Sequence, residues 1–438
     1  MAWWRGFAVG LSALVWAACG DSLPVAGPPS YLPAEEPSPV APEFLALFPA
    51  SDGSSVDALT ETAEGTVFIA GTFRGDLSEA VAGAEGRNAG RCPATSFSDE
   101  EVFAARLDGD ELQWGRAFGA RDGCAEVLGI GLVEGDLLVG TRGTVTFGGA
   151  TLSGDWGLQL SGETGSDTGQ GSWAQTVPGG PSWSLRHTAT ESFLERAREL
   201  SVSVPLGLVQ FGGVAESPRE GDAVVAGSVR EADAEWTSLA VWRVAPDGTV
   251  HWHRRFEFLG GAEGAARGFV AVEAVQAETD GGATLAVRFA GTLQLDVFVH
   301  GWPAESWTES SRFLVVRLER DGSVRWTREA SRGLFGGVRL ARAGNGGLAV
   351  WGLELTGDGV QAKGRPAAVL TWFDDEVGEA VRAQPLGAEV KVMRPSVNGG
   401  LLIGGWVTDG EGLGVGADVA PQTGFAARLP MVNVVPQQ

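Results

Sequence analysis

Short apolar runs bounded by glycine recur along this chain. They stand at 65–71 (GTVFIAG), 135–140 (GDLLVG), 221–227 (GDAVVAG), 282–287 (GATLAV), 346–352 (GGLAVWG) and 399–404 (GGLLIG). A continuous apolar run of this length between turn residues predicts a strand buried on both faces. After a gap of variable length, most runs are followed by two further stretches joined by Asp-Gly. These read 103–107 (FAARL), Asp108-Gly109, 112–118 (LQWGRAF); then 239–244 (LAVWRV), Asp247-Gly248, 250–256 (VHWHRRF); then 313–318 (FLVVRL), Asp321-Gly322, 324–328 (VRWTR). Asp-Gly between such stretches predicts a hairpin, because the glycine takes the positive φ that the turn needs. Weaker copies occupy 155–177 and 369–381.

Each unit therefore holds four strands, the first lying before the glycine-flanked run, as at 56–60 or 338–341. Units of four antiparallel strands repeating every roughly 55–85 residues predict an all-β fold, a single β-propeller of six four-stranded blades. The last unit stops at 425–429 (FAARL) without a fourth strand, and 44–49 (FLALFP) has the character of one. Pairing these two would close the ring over 44–434 and leave no open sheet edge. By this pattern the chain resembles bacterial β-propeller repeat proteins of the SBBP type. More distantly it resembles pyrroloquinoline-quinone-like propellers, whose hairpins also end in a late Trp. The resemblance implies an architecture and carries no activity.

Residues 1–18 read as a signal peptide, with Arg5 near the start and an apolar run over 6–17 too short to span a bilayer. The stretch 15–20 (VWAACG) resembles the bacterial lipobox, with Trp16 where that family usually has Leu. The resemblance implies cleavage before Cys19 and acylation of Cys19. Residues 19–43 are Pro-rich without apolar periodicity, which predicts a semi-stiff tether. Gly20, not Asp, follows Cys19, which points to the outer membrane or cell surface of a Gram-negative bacterium, reached through the N-terminal lipid. In an exported domain the two remaining cysteines, Cys92 and Cys124, are expected to form a disulfide.

A hydrophobic share of 44% allows a large core, and a net charge of −23 excludes nucleic acid as a partner. Arg106, Arg243, Arg317 and Arg428 share one register, and Arg116, Arg254 and Arg328 follow the late Trp by two residues. Residues repeated from unit to unit cannot all belong to one site, so structural ion pairs are expected of them, and inter-blade packing of Trp114, Trp252 and Trp326. His251 and His253 lack a third ligand at metal spacing. Asp167-Thr168-Gly169 lacks the second carboxylate of a dyad. No catalytic residue, cofactor or metal is assigned.

In an up-and-down unit the glycine turns and Asp-Gly hairpins fall at one end, and the longer connections at the other. The latter include 75–99, 291–310, 352–365 and 406–423, with an insertion at 178–206 in which Thr190 to Leu200 suits a short amphipathic helix. Long loops on a rigid scaffold are where binding residues gather. Trp302 and Trp307 form the candidate binding face for a protein or glycan partner. The expected function is a lipid-anchored envelope binding or scaffold module. The alternatives are an outer-membrane assembly factor and a secreted hydrolase or lyase.

Overall fold

The computed structural model describes residues 41–78, 100–118, 124–172, 183–187, 191–196, 202–207, 209–217, 221–230, 237–258, 269–302, 312–332, 337–343, 347–355, 366–409, 413–415, 419–420, 422–430 and 432. The described residues form antiparallel strands and contain no helix. β1 (Phe44–Phe48) leads into a first sheet of β2 (Ser54–Glu61), β3 (Val67–Phe73), β4 (Glu101–Asp108) and β5 (Glu111–Ala117). The second sheet holds β6 (Ala125–Val133), β7 (Asp136–Phe147), β8 (Ala150–Leu160) and β9 (Asp167–Ser172). A third, three-stranded sheet holds β10 (Trp183–His187), β11 (Ser192–Arg196) and β12 (Ser203–Gly207). The fourth holds β13 (Val209–Glu216), β14 (Ala223–Arg230), β15 (Thr237–Val244) and β16 (Val250–Phe256). The fifth holds β17 (Phe269–Ala277), β18 (Ala283–Leu295), β20 (Arg312–Leu318) and β21 (Val324–Arg332), with β19 (Phe298–Trp302) paired to β18. The sixth holds β22 (Arg339–Arg342), β23 (Leu348–Leu355), β24 (Pro366–Phe373) and β25 (Ala380–Pro385). The last holds β26 (Ala388–Pro395), β27 (Leu401–Val407), β28 (Gly424–Leu429) and, on its edge, β1.

Apart from β19, which pairs β18 alone, the strands of each sheet follow chain order, an order consistent with a propeller, and the sheet that needs a strand from far away takes the one expected. Phe44 to Phe48 pair with Arg428 to Gly424. Ser54 fastens this closure, its hydroxyl donating to the Phe48 carbonyl and accepting from the Gly424 N–H at 2.8 Å. The glycine-flanked runs become second strands with almost nothing exposed; β3 is buried at every position.

The repeated Trp and Arg residues lock one sheet to the next. The Trp114 indole donates to the Gly162 carbonyl at 3.1 Å, Trp252 to Arg320 at 2.7 Å and Trp326 to Asp375 at 2.9 Å, each crossing to the following sheet. Arg106 donates to Gly162 and Arg243 to Gly281, while Arg428 reaches Gly65 and Glu61 of the first sheet. Arg317 pairs with Asp280 at 2.5 Å and with Asp375 at 3.2 Å. Of the second register, Arg116 pairs with Asp167 at 2.6 Å and Arg254 with Asp296 at 2.5 Å. Asp167-Thr168-Gly169 thus lies in β9, where Asp167 serves a structural ion pair.

The insertion departs from expectation. Thr190 to Leu200 was expected to be helical, but 192–196 form β11, hydrogen-bonded on both sides by β10 and β12. The pattern Phe193, Leu194 is ambiguous at this length; pairing on two edges selects the strand, with Ser192 and Leu194 inward. Residues 197–200 lie outside the described residues. Trp183 of β10 donates to the Gly221 carbonyl at 3.0 Å and Arg196 of β11 to Pro246 at 3.2 Å. The three-stranded sheet thus also sends a Trp and an Arg to backbone carbonyls of the fourth sheet.

The connection 291–310, expected as an open loop, is partly strand. From Gly291 (φ 124°) β18 leaves β20 and runs on to Leu295, and a turn at Asp296-Val297 brings β19 back along it. Leu293 and Leu295 are fully buried there, and Leu293 bridges to Phe258 of the preceding sheet. The β7–β8 hairpin bends likewise at Gly143 and buries Val145 beside Phe118. Leu77, after Gly75, bridges Ala50 in the same manner. Apolar side chains of these arms fill the gaps between adjacent sheets.

Candidate functional site

The first sheet has a turn end, carrying Gly65 and Asp108-Gly109, and a loop end, where β3 runs out toward Arg74. At the loop end of the first sheet lies a small, solvent-open cleft. Its wall comes from the start of β2 (Ser54, Ser55), the end of β3 (Thr72, Phe73, then Arg74), Glu100 before β4, and Trp406 of β27 with Gln422. The closure of the last sheet by β1 is what brings β27 beside β2.

Asp57 sits beside this cleft. The first strands bulge by one residue at a shared position, and Asp57 occupies it in β2 as Leu128 does in β6, Glu273 in β17 and Lys391 in β26. The Ser55 hydroxyl donates to one Asp57 oxygen at 2.8 Å and the Thr72 hydroxyl to the other at 2.9 Å. Burial pushes the Asp57 carboxyl above the ordinary carboxylate range, and nearby Glu100 adds to this; the two hydroxyls and Lys391 oppose it. Arg74 and Glu100 pair at 3.2 Å across the rim. Lys391 lies over the Trp406 ring, 4.3 Å from its centroid, and pairs with Glu389 at 3.1 Å. Arg339 of β22 donates to the Lys391 carbonyl at 2.7 Å, which continues the polar array to the next first strand.

The arrangement offers a carboxyl that carries its proton more readily than usual, an ion pair, polar side chains at the rim and the half-buried Trp406 ring. Such a set can exchange hydrogen bonds with a polar ligand while covering its apolar parts.

Of the residues singled out in the sequence, Trp302 ends β19, its backbone opposite Gly291 at the loop end of the fifth sheet. Trp307 lies outside the described residues, as do Cys19 and Cys92. Cys124 is buried just ahead of β6, its carbonyl accepting from Thr144 at 2.8 Å. His253 stacks on Trp242 with centroids 4.8 Å apart, and His251 lies 3.4 Å from Asp222, so the two histidines serve separate contacts. Asp108 is engaged by Arg106 at 3.0 Å. Asp57, Arg74 and Trp406 were missed. The available signal was a run of polar residues, Ser54, Ser55 and Asp57, interrupting a strand that the repeat makes apolar.

No known protein family and no curated protein sequence matches the chain. Among solved structures, a protein of unknown function from Dyadobacter fermentans aligns over 90% of this chain and 100% of its own at 12% identity and a TM-score of 0.44. The Hadza microbial sialidase Hz136 aligns over 84% of this chain and 70% of its own at 11% identity and a TM-score of 0.32. A europium-containing methanol dehydrogenase aligns over 83% of this chain and 78% of its own at 10% identity and a TM-score of 0.25. Propeller-type proteins are thus among the neighbours. At such scores they lend this chain no substrate, cofactor or partner.

Proposed function

We propose that this chain is an exported β-propeller, anchored by an acylated Cys19 to the outer membrane or cell surface, that binds an envelope partner at its loop end. In this reading the five four-stranded sheets and the five-stranded one are blades, the three-stranded sheet is a shorter seventh member, and β1 closes the ring on β28. First strands that pack side by side support it: β2 beside β6 and β26, β13 beside β10 and β17, β22 beside β17 and β26. The observation that carries the binding role is the cleft beside Asp57, open at the end where the long connections emerge. Trp302, on the same end of the fifth sheet, and Trp307 extend the proposed face. Asp21 to Glu43 then serve as the tether that lifts the face off the membrane.

The test has two arms. Cys19→Ser should move the protein from the membrane fraction to the soluble one; unchanged fractionation removes the anchor. Immobilised mature protein should retain envelope material from detergent extracts, and Arg74→Ala with Trp406→Ala should abolish retention at unchanged thermal stability. Retention that survives both changes places the binding surface elsewhere.

A further inference from the structure

Resting on the reading of the Asp57 cleft as the binding site, we infer that its ligand is an uncharged, polyhydroxylated molecule, a neutral sugar unit. The two cations near the cleft are already paired within the chain. Arg74 is held by Glu100 and Lys391 by Glu389, so an ionic ligand would have to displace an existing partner. An anion would meet Asp52 and Glu100 with Arg74 as the opposing charge, an unfavourable balance. A cation would find the position over the Trp406 ring, where an ammonium group gains most, occupied by Lys391.

A sugar hydroxyl escapes both objections because it donates and accepts at once. It can donate to a Glu100 oxygen while accepting from an Arg74 N–H, joining their pair without breaking it. The Gln422 amide across the cleft offers the same two functions. The half-buried Trp406 ring, where it lines the cleft, gives a ligand an apolar contact. The Asp57 carboxyl beside the cleft gives up its charge more easily than an exposed one, so a neutral ligand pays little to approach it.

Saturation-transfer NMR on the full chain tests this with methyl β-glucopyranoside, methyl N-acetyl-β-glucosaminide and lactose, set against glucosamine and glucuronate. Two rim variants are compared, Arg74→Ala and Gln422→Gly. Both side chains are exposed, and Gln422 has φ 63°, which glycine keeps, so folding is preserved. At least one neutral glycoside should bind saturably, more tightly than either charged sugar, and weaken about tenfold in each variant. Tighter binding of a charged sugar, no binding of the neutral ones, or equal binding in both variants overturns the inference. If envelope retention still depends on the cleft in those cases, only the ligand class is wrong. If retention is also indifferent to the cleft, the binding site falls with it.

Discussion

The Trp326 ring covers Gly378 of the next sheet so closely that a Cβ there would stand 2.5 Å from it. Trp252 covers Gly322 and Trp114 covers Gly165 in the same way. A single pairing, late Trp over turn glycine, thus joins successive sheets, and the indole N–H completes it by reaching a backbone carbonyl of the same turn.

Gly378→Ala should therefore cost more than the backbone alone explains. Gly109 is the control, with φ 66° and nothing within 4 Å of an added Cβ. Gly109→Ala should lose about 1–2 kcal/mol from left-handed strain. Gly378→Ala (φ 70°) should lose about 1–3 kcal/mol more, from displacing Trp326. Urea unfolding of the two variants checks this; equal losses would mean that the ring contact contributes nothing.

Arg317 is buried to 1% exposure and binds Asp280, Asp375 and the Leu318 carbonyl. Arg317→Leu should destabilise by about 2–3 kcal/mol, the figure for a buried ion pair reduced because Asp280 is half solvated. Arg142, exposed and paired with Asp155 at 3.0 Å, is the contrast; Arg142→Ala should change stability by no more than about 0.5 kcal/mol. Similar losses at the two positions, by the same unfolding assay, would refute the lock.

The second strands, the Asp-Gly hairpins and the closing strand were legible in the sequence because each follows from a local rule repeated several times. Six copies of a glycine-flanked run outweigh any single ambiguous one. The folded-back arms were not legible. Their apolar positions Leu77, Val145 and Leu293 each follow a glycine by two residues, but burial comes from the neighbouring sheet, which no local pattern encodes. The strand at 192–196 was missed for a related reason: its partners on both sides decide its form, and the apolar spacing does not. The cleft was half legible. Strand alternation gives the end at which loops emerge, whereas Trp406 meets Ser55 and Arg74 only because β1 and β28 bring the last sheet beside the first.

Cys92 and Cys124 should be bonded in protein taken from the envelope, tying the connection before β4 to the base of the β7–β8 arm. Non-reducing peptide mass spectrometry should find the linked pair, and Cys92→Ser should lose about 3–4 kcal/mol on the chain-entropy estimate. Two free thiols would dismiss the bond.

Asp57 gives a pH signature. Its carboxyl binds a proton more tightly in the folded chain than in the unfolded one, because burial raises it above the ordinary 3.8. Its contribution to stability is therefore complete below that value and is lost as pH rises through the higher folded value. Asp57→Asn removes this dependence. The stability of the wild type minus that of the variant should fall as pH rises through that window. A difference that grows with pH would mean that the carboxyl is favoured as the anion.

Binding at the loop end is tested most directly by hydrogen exchange of the protein, free and with retained envelope material. Slowed exchange should concentrate at 53–57, 72–74 and 405–408, around the Asp57 cleft. Protection confined to the hairpins at 247–249 and 321–323, with the cleft unchanged, would put the partner on the opposite end and contradict the proposal.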